Sequence, residues 1–346
     1  MILTFLAPST RHPVGGNTLI YEFATAMAER GHDVHLYHHE IFGGDAITSV
    51  DEIGWYEFRA NITHHVAGIE GFDPREVVSG DIYFGYTPLI EDNPRYGLPV
   101  CFVQGHQMYP EAQERQTYLN PCPKICVASW LVRVGLEYGV PPAQLVHIPN
   151  GLKQACLDTT RAIEGRRPRV LFCYNSHLSK GAPLGLEVLT RLHDRRPDLD
   201  IVAFGGLAPD TDFPDWLTFH HDPDQTTLID GLYNTSTVFL WTSRIEGFGL
   251  PALEAMAGGA ALVTTDNGGS EDYAFHGETA LVADYPDADA LLDNVERLLD
   301  DERLRHRLAA AGRRLAAGFT WEASADRLEA FVHEYREDPQ RYGRPA

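Results

Sequence analysis

Positive charge is scarce in this sequence. Its 346 residues carry 28 Lys and Arg against 49 Asp and Glu, a formal net charge of −21. Such a balance argues against binding nucleic acid or an anionic membrane through bulk electrostatics, while leaving room for a local basic pocket. Long apolar runs are missing too: no stretch approaches the ~18 apolar residues of a membrane span. The opening "MILTFLAPSTRHPVGG" has no basic n-region and only a short apolar run, so no export signal is expected. Cysteines are few, five in all (Cys101, Cys122, Cys126, Cys156, Cys173), odd in number and scattered. Reduced thiols and a cytoplasmic location are the expectation. Cys122 and Cys126 lie close together in "NPCPKIC", but no second ligand pair accompanies them, which argues against structural zinc. The first loop, "APSTRHPVGGN", lacks G-x-G-x-x-G, which argues against a dinucleotide-dependent dehydrogenase.

What is present is an ordinary globular composition, 44% hydrophobic and 22% charged. The length admits two domains or one large α/β domain. A short apolar strand from Ile2 to Ala7, a glycine-containing loop, a helix over "TLIYEFATAMAERGH" and a strand "DVHLYHH" make a βαβ start. Further strands are expected at "GDIYFGYT", "PVCFVQG", "KICVAS" and "LVHIPNG", with a helix over "SWLVRVGLEYG". The segment "LKQACLDTTRAIEGRRPR" shows no periodicity and reads as a linker. The alternation then restarts: strands at "RVLFCYN", "LDIVAFGG", "TVFLWTS" and "AALVTTD", helices at "LGLEVLTRLHDRRP", "LIDGLYNTS" and "PALEAMAGG". Two amphipathic helices follow, then a third over "FTWEASADRLEAFVHEYRED". Two successive alternating series imply two doubly wound domains.

The most informative stretch is "RIEGFGLPALEAMAGG", positions 244 to 259. It follows the strand "TVFLWTS", so it sits at the C-terminal edge of a parallel sheet, where such folds bind ligands. Gly247 and Gly249 let backbone amides approach a ligand, Pro251 suits a first helical turn, and the helix N-terminus favours an anion. Glu246 and Glu254 flank that cradle. Carboxylates repel phosphate but accept hydrogen bonds from hydroxyls. A ligand with a central diphosphate and polyols at both ends fits every part, and a nucleotide sugar is such a ligand. Acidic residues matched to a helix dipole are the alternative.

The stretch "EGFGLPALEAMAGGAALVTTDNGGSEDY" closely resembles the E-x(7)-E region of retaining glycosyltransferases of the GT-B fold, glycosyltransferase family 4. "FTWEASADRLEAFV" resembles that family's terminal helix, and "CVASWLVRVGLEYGVPPAQLVHIPNGL" its serine-helix stretch and "PNG" turn. The resemblance implies two Rossmann-like domains facing a cleft, with a C-terminal helix crossing back to the first. The expected boundaries are 1–160, 161–318 and 319–346. It also implies roles. Glu246 contacts donor-sugar hydroxyls and Glu254 the ribose. Amides around Gly247, Phe248, Gly249 and Leu250 hold the diphosphate. Lys180, in "NSHLSKGAPLGLE", neutralises the leaving diphosphate. Gly16 matches the family's glycine loop, and His106, in "VCFVQGHQMYPE", its histidine facing the donor sugar.

This chain departs from the pattern where the family has "GR" ahead of the lysine. Tyr174, Asn175, Ser176 and His177 stand there, so Asn175 supplies hydrogen bonds without charge, and Arg244 or Arg11 is a candidate replacement cation. No metal and no cofactor are expected. The pairs His38–His39, His64–His65 and His220–His221 place neighbours on opposite strand faces. D-x-D pairs such as Asp210–Asp212 recur throughout an acidic chain. The expectation is therefore a retaining transferase using a UDP, GDP, ADP or dTDP sugar. Its acceptor hydroxyl belongs to a polysaccharide, glycolipid or natural product, with candidate acceptor walls at Gly43, Trp55–Tyr56 and Gln104–Tyr109. A phosphorylase, an epimerase and a non-catalytic nucleotide-sugar-binding protein are the alternatives.

Overall fold

The computed structural model describes residues 1–11, 15–39, 47–67, 78–85, 96–107, 110–159, 161–208 and 213–344. Gly43, Tyr109 and the Asp210–Asp212 pair lie outside the described residues. Two compact units divide the chain. One comprises Met1–Gly151 with Trp321–Ala346, the other Leu152–Thr320.

The first unit starts with β1 (Ile2–Pro8), α1 (Gly15–Glu29) and β2 (Asp33–His39), the βαβ arrangement read from the sequence. Then come β3 (Thr63–Val66), β4 (Ile82–Gly85), β5 (Leu98–Val103), α2 (Glu111–Leu119), β6 (Lys124–Cys126), α3 (Ser129–Glu137) and β7 (Leu145–His147). The strands form one sheet in the order β3-β2-β1-β4-β5-β6-β7, every pairing parallel. Neither β3 nor α2 was expected from the sequence. β3 is a four-residue edge strand, "THHV", with no fully buried position, so it carries no apolar alternation. In α2 only Glu114 and Tyr118 are buried, too few to mark a helical period.

The second unit holds α4 (Gln154–Leu157), β8 (Arg169–Cys173), α5 (Ala182–Arg195), β9 (Asp200–Gly205) and β10 (Thr218–His221). A π-helical segment (Thr227–Tyr233) leads to β11 (Val238–Trp241), α6 (Leu250–Ala257), β12 (Ala261–Thr265), β13 (Ala280–Ala283), α7 (Ala288–Asp300) and α8 (Glu302–Ala316). The sheet order is β10-β9-β8-β11-β12-β13, again all parallel. β8 and β11 are central and covered on both faces, which is why Val170, Leu171, Phe172, Val238, Phe239 and Leu240 are apolar without alternation and fully buried. Leu184, Val188, Leu189 and Leu192 on α5 and Leu291, Leu292, Val295 and Leu298 on α7 close one core over them. The edge strands β10 and β13 were not anticipated, and the expected linker contributes α4 to this unit.

The last helix, α9 (Trp321–Glu337), belongs to the first unit. Trp321 meets Phe23 of α1 edge to face at 5.7 Å, and the Tyr335 hydroxyl donates to Pro99 O at 3.1 Å. The expected alternation therefore appears as two Rossmann-like parallel sheets.

Candidate active site

In a doubly wound sheet the ligand crevice opens where strand order reverses. In the second unit that point lies between β8 and β11. The loop after β8 carries Lys180 and the loop after β11 carries Glu246. The chain has only three lysines, Lys124, Lys153 and Lys180, so a lysine here is not background.

Lys180 and Glu246 are joined directly. Lys180 Nζ donates to both Glu246 Oε1 and Oε2 at 2.8 Å. The Glu246 side chain is 5% exposed and that of Lys180 29%. Ser243 Oγ donates to Glu246 Oε1 at 2.6 Å, and Glu246 N donates to Asn267 O at 2.9 Å. Trp241 lies beneath the ammonium, its ring centroid 6.0 Å from Nζ. A buried carboxylate is thus held by one cation and one hydroxyl at the end of the central strands.

Local backbone chemistry fixes the two loops. Residues Leu178–Lys180 form a 3-10 turn capped by His177, and Lys180 N donates to His177 O at 2.9 Å. Gly181 then takes φ 63°, and a Cβ there would stand 2.0 Å from Thr242 O, so only glycine fits. Arg244 N donates to Ser179 O at 2.7 Å and Thr242 Oγ1 to Gly181 O at 2.9 Å, stitching the lysine loop to the glutamate loop. Gly249, at φ 84°, caps α6 with Pro251 in the first turn. Tyr273 OH lies 2.9 Å from Phe248 O and 2.8 Å from Gly249 O, and Gly249 O also accepts from Ala252 N at 3.1 Å. Among the described residues the amides of Phe248, Gly249 and Leu250 donate to no protein acceptor. They are the orphan donors of a helix N-terminus, suited to an anion.

Glu254 sits one turn further along α6, half-buried, and accepts from Tyr233 OH at 2.9 Å on Oε2. Burial raises its pKa above the ordinary carboxylate value, against the lowering effects of Tyr233 and Lys153. Cys173, at the end of β8, is pushed up to about 12 by burial; Lys180 lowers it, while Glu246 and Glu254 raise it, so this thiol stands within the field of all three. Asn175 Oδ1 accepts from His177 N at 2.9 Å, leaving its side-chain amide to donate. Arg244 is exposed, and its side chain makes no ion pair among the described residues. Arg11 instead lies in the first unit, paired with Glu52 at 2.7 Å.

Two expected site residues lie in the first unit. Gly16 is the second residue of α1; its carbonyl accepts from Gln104 Nε2 at 3.3 Å, and a Cβ there would stand 2.8 Å from Gln104 Oε1. His106 Nδ1 is 3.2 Å from buried Glu114 Oε2, within an aromatic surround of Tyr118, Trp130 and Tyr138. Sequence reasoning missed Ser243, Trp241 and Tyr233. Ser243, three residues ahead of Glu246, was open to such a reading; Tyr233 was not, because only the fold brings it to Glu254.

The second unit's sequence and the overall fold are similar to those of known proteins. Residues 159–315, most of the second unit, match the family model for glycosyl transferases group 1. Among curated relatives, a D-inositol 3-phosphate glycosyltransferase of Arthrobacter sp. (strain FB24) is 32% identical over 168 residues, 45% of this chain and 40% of that protein. A mannosylfructose-phosphate synthase of Agrobacterium fabrum is 34% identical over 149 residues, 42% of this chain and 29% of that protein. The chain thus spans less than half the length of these relatives. Among solved structures, Anabaena HepE in complex with UDP-glucose superposes with a TM-score of 0.74 at 13% identity, covering 96% of this chain and 100% of that one. A glycosyltransferase from Rickettsia africae gives 0.73 at 16% identity, covering 96% and 98%. The fold is that of GT-B glycosyltransferases. Among the described residues no helix is long and apolar enough to cross a membrane.

Proposed function

We propose that the protein is a retaining glycosyltransferase that moves a sugar from a nucleoside-diphosphate donor to an acceptor hydroxyl. The observation that carries this reading is the Lys180–Glu246 pair beside the free amides at the start of α6. One cation, a set of unused N–H donors and a carboxylate, all at a sheet's switch point, suit a sugar diphosphate. In the donor complex the diphosphate takes Lys180 over from Glu246 and accepts from the amides of Phe248, Gly249 and Leu250. Glu246, still held by Ser243, turns its freed acceptor capacity to the sugar hydroxyls. Glu254, steadied by Tyr233, receives the ribose. Arg244 supplies the second cation that Asn175 cannot.

The transfer is a front-face substitution. The bond from anomeric carbon to phosphate oxygen breaks, the acceptor oxygen bonds to the same face, and the leaving phosphate oxygen takes the acceptor proton. Lys180 and the amides bear the charge that develops on that oxygen. No enzyme nucleophile and no metal take part.

The test is binding and turnover with UDP-, GDP-, ADP- and dTDP-sugars, UDP-glucose first because HepE was crystallised with it. D-inositol 3-phosphate is a first acceptor to try, given the Arthrobacter relative's name. One donor is expected to raise the melting temperature and to be consumed, with consumption lost in Lys180→Met and Glu246→Gln. Equal turnover in wild type and both variants would overturn the assignment, and phosphate-dependent release of sugar phosphate would favour a phosphorylase.

A further inference from the structure

We propose a transition-metal site in the first unit, formed by His32, Glu329 and His333, which takes a zinc-like divalent ion and ties α9 to the turn between α1 and β2. This site is independent of the transfer reading and takes no part in it. Glu329 and His333 are four residues apart on α9, so they share one helix face. His32 follows α1, and its Nε2 lies 3.4 Å from Glu329 Oε1. The two imidazole rings stand 5.9 Å apart, and the three ligand atoms all lie within 4.8 Å of one another.

Those distances suit a small cation. Zinc bonds of about 2.0–2.1 Å in a tetrahedron set ligand atoms about 3.3 Å apart. The His32–Glu329 pair already stands near that spacing. His333 is exposed, so a side-chain rotation brings its nitrogen in. Two imidazoles and one carboxylate leave a fourth position for water, a donor set that selects zinc-like ions over magnesium or calcium.

The surroundings fit as well. The Met1 ammonium donates to His32 Nδ1 at 3.4 Å, so Nε2 carries the proton facing Glu329 Oε1, and the ion takes that proton's place. Arg30 engages Glu329 through Oε2 at 3.1 Å, and Asp326 through Oδ1 at 2.6 Å, leaving Glu329 Oε1 toward His32. The net charge of −21 favours cation capture at any such cluster. The bound ion cross-links α9 to the segment after α1, two elements distant in sequence.

The experiment is calorimetric titration of the full chain with zinc chloride, paired with thermal melts at each zinc concentration. One zinc per chain is expected, with a rise in melting temperature of about 5 °C at a hundredfold excess over the Kd. Magnesium should give neither. His333→Ala removes an exposed ligand, so the apo melting temperature should hold while zinc affinity falls at least tenfold; Glu329→Gln should lose affinity likewise. Absence of saturable zinc binding in the wild type would overturn the proposal. So would unchanged zinc affinity in His333→Ala.

Discussion

Replacing Lys180 with methionine should destabilise the second unit far more than replacing its partner does. The pair is asymmetric: the Glu246 side chain is 5% exposed and that of Lys180 29%. At 2.8 Å and an effective dielectric near 20, the attraction is about 6 kcal/mol gross, and desolvation offsets a large part of it. In Lys180→Met the carboxylate stays buried with only the Ser243 hydroxyl and its own neighbourhood to hold it, and a loss of about 2–3 kcal/mol follows. Glu246→Gln leaves an amide that still bonds Ser243 and a lysine that can hydrate, for about 1 kcal/mol. The double variant should therefore be more stable than the sum of the singles implies, with a coupling of about 2 kcal/mol. Hydrogen-exchange protection in β8 and β11 peptides reads the second unit without requiring both units to unfold together. Additive effects within about 0.5 kcal/mol would refute the view that this ion pair organises the site.

Tyr233→Phe removes the hydroxyl that steadies Glu254. If Glu254 holds the ribose, donor KM should rise about tenfold with kcat nearly unchanged, since ground state and transition state lose the same contact. A fall in kcat at constant KM would contradict that role. In the first unit, His38 is held near a pKa of about 3, by burial first and then by His64 and His65. Its folded value lies below the unfolded ~6.5, so the unfolded chain gains the proton first as pH falls. Stability is therefore complete above about pH 6.5 and declines toward pH 3, by about 2 kcal/mol from this group at pH 5. Hydrogen exchange of β2 peptides across pH should show that slope, reduced in His38→Gln; a β2 region more stable at pH 5 than at pH 7 would disprove it.

Legibility in the sequence followed the range of the interaction. The central strands β8 and β11 and the helix α6 stand out because burial on both sides makes them continuous apolar runs. The E-x(7)-E spacing lies on one such strand–loop–helix unit, so Glu246 and Glu254 could be singled out by number. The edge strands β3 and β10 could not, since "THHV" and "TFHH" bury too little to show a period. Side-chain pairs between elements leave no local trace: Tyr233 and Glu254, or Lys180 and Glu246, meet only through the sheet. The histidines illustrate the same point. Adjacent residues such as His64 and His65 do face opposite ways, as alternation requires. Yet each finds a partner on β2, His38 at 3.1 Å and His35 at 3.0 Å.

The membership of α9 in the first unit bears on how the chain folds as it is made. Residues 1–151 emerge from the ribosome first, but the surface of α1 that receives Trp321 stays bare until residues beyond 320 have been added. The second unit, residues 152–320, is complete in sequence before that moment. Synthesis usually favours the domain nearest the amino terminus. Here the unit that begins first is the one that finishes last, and its apolar α1 face must be kept from other partners while the whole of the second unit is translated.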